Sequence, residues 1–99
     1  MIRGTTPSYQ FKLPFDVSVL NKVWVTFSQF DKEIFTIEES DCYLDGNVVR
    51  VELTQEQTLQ LESNALLDIQ LRVLIVNGSA LASKVFRVPV RKILKGGVI

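Results

Sequence analysis

Alternation of apolar and polar residues limits the fold of this chain more than any other feature. It recurs in short stretches where every second side chain is apolar, as in Val23, Val25 and Phe27. A period of two residues is typical of a β-strand with one buried face, whereas a helix has a period of 3.6. The chain is therefore predicted to be all-β, and its seven candidate strands lie near residues 9–13, 23–28, 35–38, 42–44, 48–53, 69–76 and 86–90.

Turn signals separate these strands, and one helical signal interrupts them. Asp45-Gly46-Asn47 and Asn77-Gly78 are typical of tight hairpins because Gly, Asn and Asp tolerate a positive φ, and residues 29–33 are interpreted as a hairpin loop. Thr54-Gln55-Glu56-Gln57 matches a capping box, which predicts a short helical crossover over residues 55–60. Together these signals predict an immunoglobulin-like antiparallel β-sandwich of about seven strands.

The apolar members of the alternating pairs predict one core. A chain of 99 residues is long enough for one small domain and too short for two. We predict a single sandwich domain over residues 1–90 and a basic, apolar tail over residues 91–99. Pro89 predicts that the last strand lies at a sheet edge or is bulged there. The residues predicted to be nearly buried are Phe11, Val25, Ile37, Val51, Leu71, Val73 and Val88.

The composition excludes most catalytic chemistry. The chain has no His, which rules out Ser-His and Cys-His nucleophile pairs and imidazole metal sites. Its single cysteine, Cys42, follows Glu39 and Asp41, whose charges raise a thiol pKa, so we predict a small core residue and not a nucleophile. Asp41, Asp45 and Asn47 have the alternate spacing of calcium ligands, but a hairpin turn explains them. We expect no enzyme activity, no cofactor, no metal and no small-molecule substrate.

The charges are sorted along the chain, although 11 cationic and 11 acidic residues cancel overall. Residues 1–30 sum to +2, residues 31–68 to −8 and residues 69–99 to +6. If these blocks lie on different sides of the sandwich, copies of the molecule can attract one another head to tail. The alternative is that neighbouring strands mix their charges across the sheets.

Aromatic and basic residues are the candidates for contact with a protein partner. Trp24 and Phe30 are predicted to lie on the outer face of their strand, where exposed aromatics form a contact patch; in the alternative register Trp24 is a core residue. The basic segment Arg91–Lys95 has no aromatic residue for base stacking, so nucleic acid is not the expected partner. The last nine residues either fray or place their apolar tip on a neighbouring copy. The predicted partner-binding residues are Trp24, Phe30, Arg87, Arg91 and Lys92.

Three stretches carry a resemblance to known proteins: Met1–Pro7 with Leu13–Asp16, Leu53–Leu59, and Gln70–Val90. The chain resembles small immunoglobulin-like proteins encoded among the virion structural genes of Firmicutes phages and prophages. Its helical crossover and final hairpin are similar, more distantly, to the N-terminal sandwich domain of the siphophage baseplate upper protein. The resemblance implies an assembly module with no catalytic residues to transfer.

The sequence and the resemblance together predict a non-enzymatic virion structural or assembly module of a capsid, neck, tail or baseplate. Its expected partner is a second copy of itself, in a homo-oligomer, or another virion protein. The alternative is a small cytoplasmic regulator that binds a host protein or nucleic acid. No apolar run is long enough to span a bilayer, and the first residues lack the apolar region of a signal peptide. We therefore expect no membrane partner and no secretion, with assembly into the virion in the bacterial host cytoplasm.

Overall fold

The computed structural model describes all 99 residues and contains two antiparallel sheets that form a β-sandwich. One sheet has three strands and the other has five. The predicted all-β sandwich with one short helical crossover is confirmed. Along the chain the elements are β1 (Ser8–Lys12), β2 (Leu20–Gln29), β3 (Lys32–Glu38), β4 (Tyr43–Asp45), β5 (Val48–Glu52), α1 (Gln55–Leu59), β6 (Ala65–Ile75), β7 (Ala80–Ala82) and β8 (Phe86–Val90), with short 3₁₀ helices at Val17–Val19 and Glu39–Asp41.

The strand order of the two sheets shows which strand of an immunoglobulin-type sandwich is lacking. The three-stranded sheet has the order β1-β5-β4, and the larger sheet has the order β3-β2-β6, with β7 and β8 both paired to the far side of β6. These are the orders B-E-D and C′-C-F-G of an immunoglobulin-type sandwich. No full strand occupies the position of strand A. In its place a short segment makes one parallel bridge, between Ile2 and Arg91 just beyond β8.

The core lies between the two sheets, as the alternation predicted. Six of the seven residues predicted to be nearly buried are buried. Val88 is the exception: it is half-buried because β8 is an edge strand that pairs only with β6 along its length. The edge position predicted from Pro89 is confirmed, and the carbonyl of Pro89 accepts a hydrogen bond from the N-terminal ammonium group of Met1 at 2.8 Å. The buried apolar residues are Phe11, Leu13, Val23, Val25, Phe27, Ile37, Val49, Val51, Leu53, Leu61, Leu67, Ile69, Leu71, Val73 and Val90.

The last hairpin differs from the prediction. Asn77-Gly78 turns the chain into β7, not directly into the 86–90 strand. The ladder stops at Ser83, whose hydroxyl accepts the N–H of Leu71 at 3.0 Å in place of a backbone carbonyl. The chain detours through the next two residues and pairs again with β6 only from Phe86, which makes eight strands.

The helix α1 closes one end of the sandwich and is capped at both ends. The hydroxyl of Thr54 accepts the Gln57 N–H at 3.1 Å, and the Gln57 side chain accepts the Thr54 N–H at 2.8 Å, which confirms the predicted capping box. The guanidinium of Arg3 donates to the carbonyls of Leu59 and Leu61, each at 2.8 Å. Cations satisfy the free carbonyls of a helix C-terminus in this way.

Candidate functional site

The outer face of the five-stranded sheet presents an aromatic and cationic pair. Trp24 on β2 lies directly opposite Arg72 on β6, and the Arg72 guanidinium lies 5.4 Å from the centre of the indole ring. The Trp24 side chain is 38% exposed, so the predicted outward orientation is confirmed and the core alternative is wrong. Arg72 was not among the predicted partner-binding residues. The alternation in its strand nevertheless places Arg72 on the outer face, opposite the face that was predicted to be buried.

A shallow apolar depression lies beside this pair. Its volume is about 160 Å³, and Leu74 and Ala80 contribute to its wall together with Trp24 and Arg72. Trp and Arg are enriched at the centres of protein interfaces, where each combines apolar area with a polar end. We call the surface formed by Trp24, Arg72, Leu74 and Ala80 the Trp24 face.

The outer face of the three-stranded sheet is different, because its side chains satisfy one another. Arg50 donates to Glu52 at 3.0 Å, and its guanidinium stacks over the Tyr43 ring at 4.2 Å. The Tyr43 hydroxyl reaches the same carboxylate at 3.4 Å. An exposed polar cluster of this kind has little need of a partner, so the two faces of the sandwich are not equivalent.

Phe30 is placed differently from the prediction. It does not lie on the sheet face but at the tip of the β2–β3 hairpin, where Phe30 and Asp31 alone connect the strands with φ values of 55° and 59°. Two successive positive φ values are typical of a type I′ turn, whose usual residues are Asn and Gly. The Phe30 side chain is 72% exposed, so burial of the ring contributes little to stabilising this backbone conformation.

The three predicted basic residues lie at the same end of the sheet as Phe30, where β6 begins. Arg87 on β8 donates to the Asp68 carboxylate at 2.7 Å, and this hydrogen bond, followed by the charge of Asp68, raises the pKa of Arg87. Arg91 and Lys92 follow β8 with exposed side chains. Trp24 lies on the row of Arg72, four residues along β6 from Asp68, which is about 13 Å. The five predicted residues therefore do not form one cluster.

The charges stay sorted in three dimensions. Only two ion pairs form, and Arg87–Asp68, between the neighbouring strands β8 and β6, is the one that joins the acidic block to the basic block. Ion pairing between the two blocks is therefore limited to this pair. The edge strands β3 and β4 and the 3₁₀ helix between them lie on one side of the sandwich, which we call the acidic edge. The edge strands β1, β7 and β8 lie on the other side, which we call the basic edge. The acidic edge carries Glu33, Glu38, Glu39, Asp41 and Asp45 against one cation, Lys32, and the basic edge carries Lys12, Lys84 and Arg87.

The basic edge contains an apolar groove between the two sheets. Its volume is about 390 Å³, and it opens where β7 gives way to β8. The rings of Phe11 on β1 and Phe86 on β8 meet edge-on at 5.7 Å across it. Leu13, Leu81 and Phe15 line the groove, with Lys12 at its margin. It lies in the position that no full strand occupies.

Cys42 lies at the margin of the core and not in a reactive setting. Burial, and then the charges of Asp41 and Glu39, raise the pKa of its thiol to about 11. Its Sγ donates to the carbonyl of Glu38 at 3.3 Å. The Asn47 side chain donates to the carbonyl of Leu13 at 3.1 Å and so joins the β4–β5 turn to the segment after β1. No group of three or more His, Cys, Asp or Glu side chains is arranged to hold a metal ion.

Comparisons with protein-family models, with curated proteins and with solved structures give no match to this chain. None of the helices has the length and the apolar character that a bilayer crossing requires.

Proposed function

We propose that this chain is a non-enzymatic assembly module of a phage or prophage virion and that it docks to another virion protein through the Trp24 face. The observation that carries the proposal is an exposed tryptophan stacked against an arginine beside an apolar depression, on a sheet face that nothing in the chain covers. The virion setting comes from the sequence resemblance.

The charges of the Trp24 face favour a different protein as the partner on this surface. A twofold contact between two copies, centred on Trp24, brings two Arg72 guanidinium groups and two Lys22 ammonium groups together. Like charges at the centre of an interface cost several kcal/mol, on the order of a thousandfold in affinity. A partner with an acidic and apolar surface pairs with Arg72 while it packs on the indole ring.

The experiment is the recovery of the chain with assembled particles. In a host strain that carries the phage or prophage, we expect the wild-type chain to sediment with purified particles on a density gradient. Trp24→Glu is expected to reduce its recovery at least about tenfold, since it removes the aromatic anchor. The matched control is Val76→Glu, which alters an exposed apolar residue outside the Trp24 face. Absence of the wild-type chain from particles would overturn the proposal.

The alternative function is that of a regulator that binds nucleic acid. The salt dependence of binding distinguishes this function from docking to a virion protein. Contacts between phosphates and Arg91 or Lys92 release counterions, so binding to a mixed-sequence duplex falls steeply between about 50 and 200 mM salt. Docking through the Trp24 face combines one charged contact at Arg72 with apolar burial, so it weakens far less over that range. Tight, salt-sensitive binding to the duplex together with loss from particles favours the regulator.

A further inference from the structure

Both edges of the sandwich are uncovered within the chain, and they are complementary to each other. The basic edge has the apolar groove with unpaired Lys12 at its margin. The acidic edge has an exposed Leu44, which is the inward-pointing residue of β4, followed by Asp45 without a cationic partner. An apolar side chain and a carboxylate therefore stand on one edge, and a groove and an ammonium group stand on the other.

The strand register places these groups at the same height in the three-stranded sheet. Phe11, which lines the groove, pairs with Val49, and Val49 pairs with Leu44, so the three residues form one row across the sheet. The next row runs from Lys12 through Val48 to Asp45. If a second copy stands beside the first without a shift along the strands, its Leu44 comes level with the groove and its Asp45 comes level with Lys12.

The five-stranded sheet gives a second matched pair. Glu33 pairs with Ser28, Ser28 with Asp68, and Asp68 with Arg87, which forms one row from the acidic edge to the basic edge. Arg87 already holds Asp68, but its side chain is 61% exposed and retains donors for another carboxylate. The same sideways step therefore brings Glu33 of one copy level with Arg87 of the next.

Strand direction agrees with this arrangement in the five-stranded sheet, whereas in the three-stranded sheet β4 of one copy meets β1 of the next in the parallel sense, so that contact is made by side chains. Because β3, β2, β6 and then β7 and β8 are successively antiparallel, β3 runs antiparallel to β7 and β8. A second copy placed by translation thus presents its β3 to the neighbouring β7–β8 edge in the antiparallel sense that this sheet uses throughout. Contact between two basic edges, or between two acidic edges, would instead bring like charges together.

We propose that the chain associates with itself head to tail, with the acidic edge of one copy against the basic edge of the next. Leu44 enters the apolar groove, Asp45 faces Lys12, and Glu33 faces Arg87. The contact is heterologous, so each copy retains one free edge of each kind, and repetition produces a ring or a filament. Trp24, Arg72 and Leu74 lie on the inner strands β2 and β6, and only Ala80 of the Trp24 face belongs to a strand of the basic edge. Different variants therefore test the two proposals.

Charge exchange between Lys12 and Asp45 tests the contact. In sedimentation velocity at tens of micromolar and low salt, the wild-type chain is expected to associate, while Lys12→Glu and Asp45→Lys are each expected to raise the dissociation constant at least about tenfold. An equimolar mixture of the two variants restores opposite charges at every contact and is expected to associate again. A monomeric wild-type chain in low and in moderate salt overturns the proposal, as does a mixture that stays dissociated.

Leu44→Ser tests the apolar part of the contact, and Val76→Ser is its control because both residues are exposed and only Leu44 belongs to the proposed contact. We expect weaker association for Leu44→Ser in low and in moderate salt, and no change for the control. Leu94→Ser examines the tail, whose apolar tip is also exposed. If Leu94→Ser abolishes association while Leu44→Ser leaves it unchanged, the tail is the contact and the edge proposal is wrong. Circular dichroism verifies that each variant is folded.

Discussion

Gln29 is buried at the end of β2, in the line of inward residues that also contains Val25 and Phe27, and only 1% of it is exposed. Its side-chain amide donates to the carbonyl of Glu62 at 2.9 Å, and its side-chain oxygen accepts the N–H of Glu62 at 2.8 Å. These two hydrogen bonds join the β2–β3 hairpin to the loop between α1 and β6. Gln29→Met keeps the length and the packing of the side chain and removes both hydrogen bonds.

The cost follows from the two backbone groups that lose their partner. An unsatisfied buried donor or acceptor costs about 1 to 3 kcal/mol, and because the Glu62 groups are only partly buried, each falls at the lower end of this range. We therefore expect Gln29→Met to reduce the free energy of unfolding by about 2 to 3 kcal/mol. For a domain of this size the corresponding fall in Tm is roughly 10 to 20 °C.

Urea denaturation followed by circular dichroism measures this difference. The control is Gln60→Met, whose exposed side chain makes one long hydrogen bond of 3.5 Å, and which is expected to change stability by less than about 0.5 kcal/mol. If Gln29→Met were as stable as Gln60→Met, water would satisfy Glu62 equally well and the reasoning would be refuted. Gln29→Glu adds a sign test: burial raises the pKa of the new carboxyl, so the variant should lose stability as the pH rises through that pKa.

Four further predictions concern single residues. Thr54→Ala removes the capping box and should cost about 1 kcal/mol in urea denaturation, with Thr54→Ser retaining most of the stability. Arg3→Lys loses the two-carbonyl contact at the end of α1, so amide exchange in that helix should be faster than in the wild type. Gly4→Ala should destabilise the fold by more than about 1 kcal/mol, since φ is +82° and the added Cβ would lie 2.9 Å from Ile93 Cδ1. Cys42, with its pKa raised from 9.0 to about 11, should hold roughly 100-fold less thiolate at pH 8 and react with iodoacetamide correspondingly slowly, whereas a rate equal to that of a free thiol would contradict this environment.

The parts of the fold that depend on local pattern were predictable from the sequence. The alternation in β2 fixed which side of the strand is buried, and with it the outward position of Trp24. The capping box at Thr54 and the edge position of Pro89 depend on backbone hydrogen-bonding capacity, which residue type determines. Such features need no knowledge of which strands pair.

The features that the sequence did not predict depend on tertiary context. The break between β7 and β8 arises because the Ser83 hydroxyl competes with the backbone for Leu71, a choice that cannot be made before the two strands meet. A hairpin loop was predicted over residues 29–33, but its two-residue turn at Phe30 and Asp31 was not, because it lacks the Gly or Asn that marks a type I′ hairpin. Gln29 was missed for a related reason, because its partner is a distant loop backbone and not another side chain.

The sorted charges connect the sequence to assembly through the topology of the sandwich. The acidic block, residues 31–68, contains both edge strands of one side, β3 and β4, whereas β7 and β8, the last strands of the chain, form the opposite edge of the larger sheet. Acidic and basic residues that are separated along the chain therefore lie on opposite edges of the sandwich. Exposed edge strands invite indiscriminate pairing, and like charge along an edge opposes pairing with an identical edge. The one edge contact that the charges favour is acidic against basic, so the same residues that prevent disordered association also give assembly a direction.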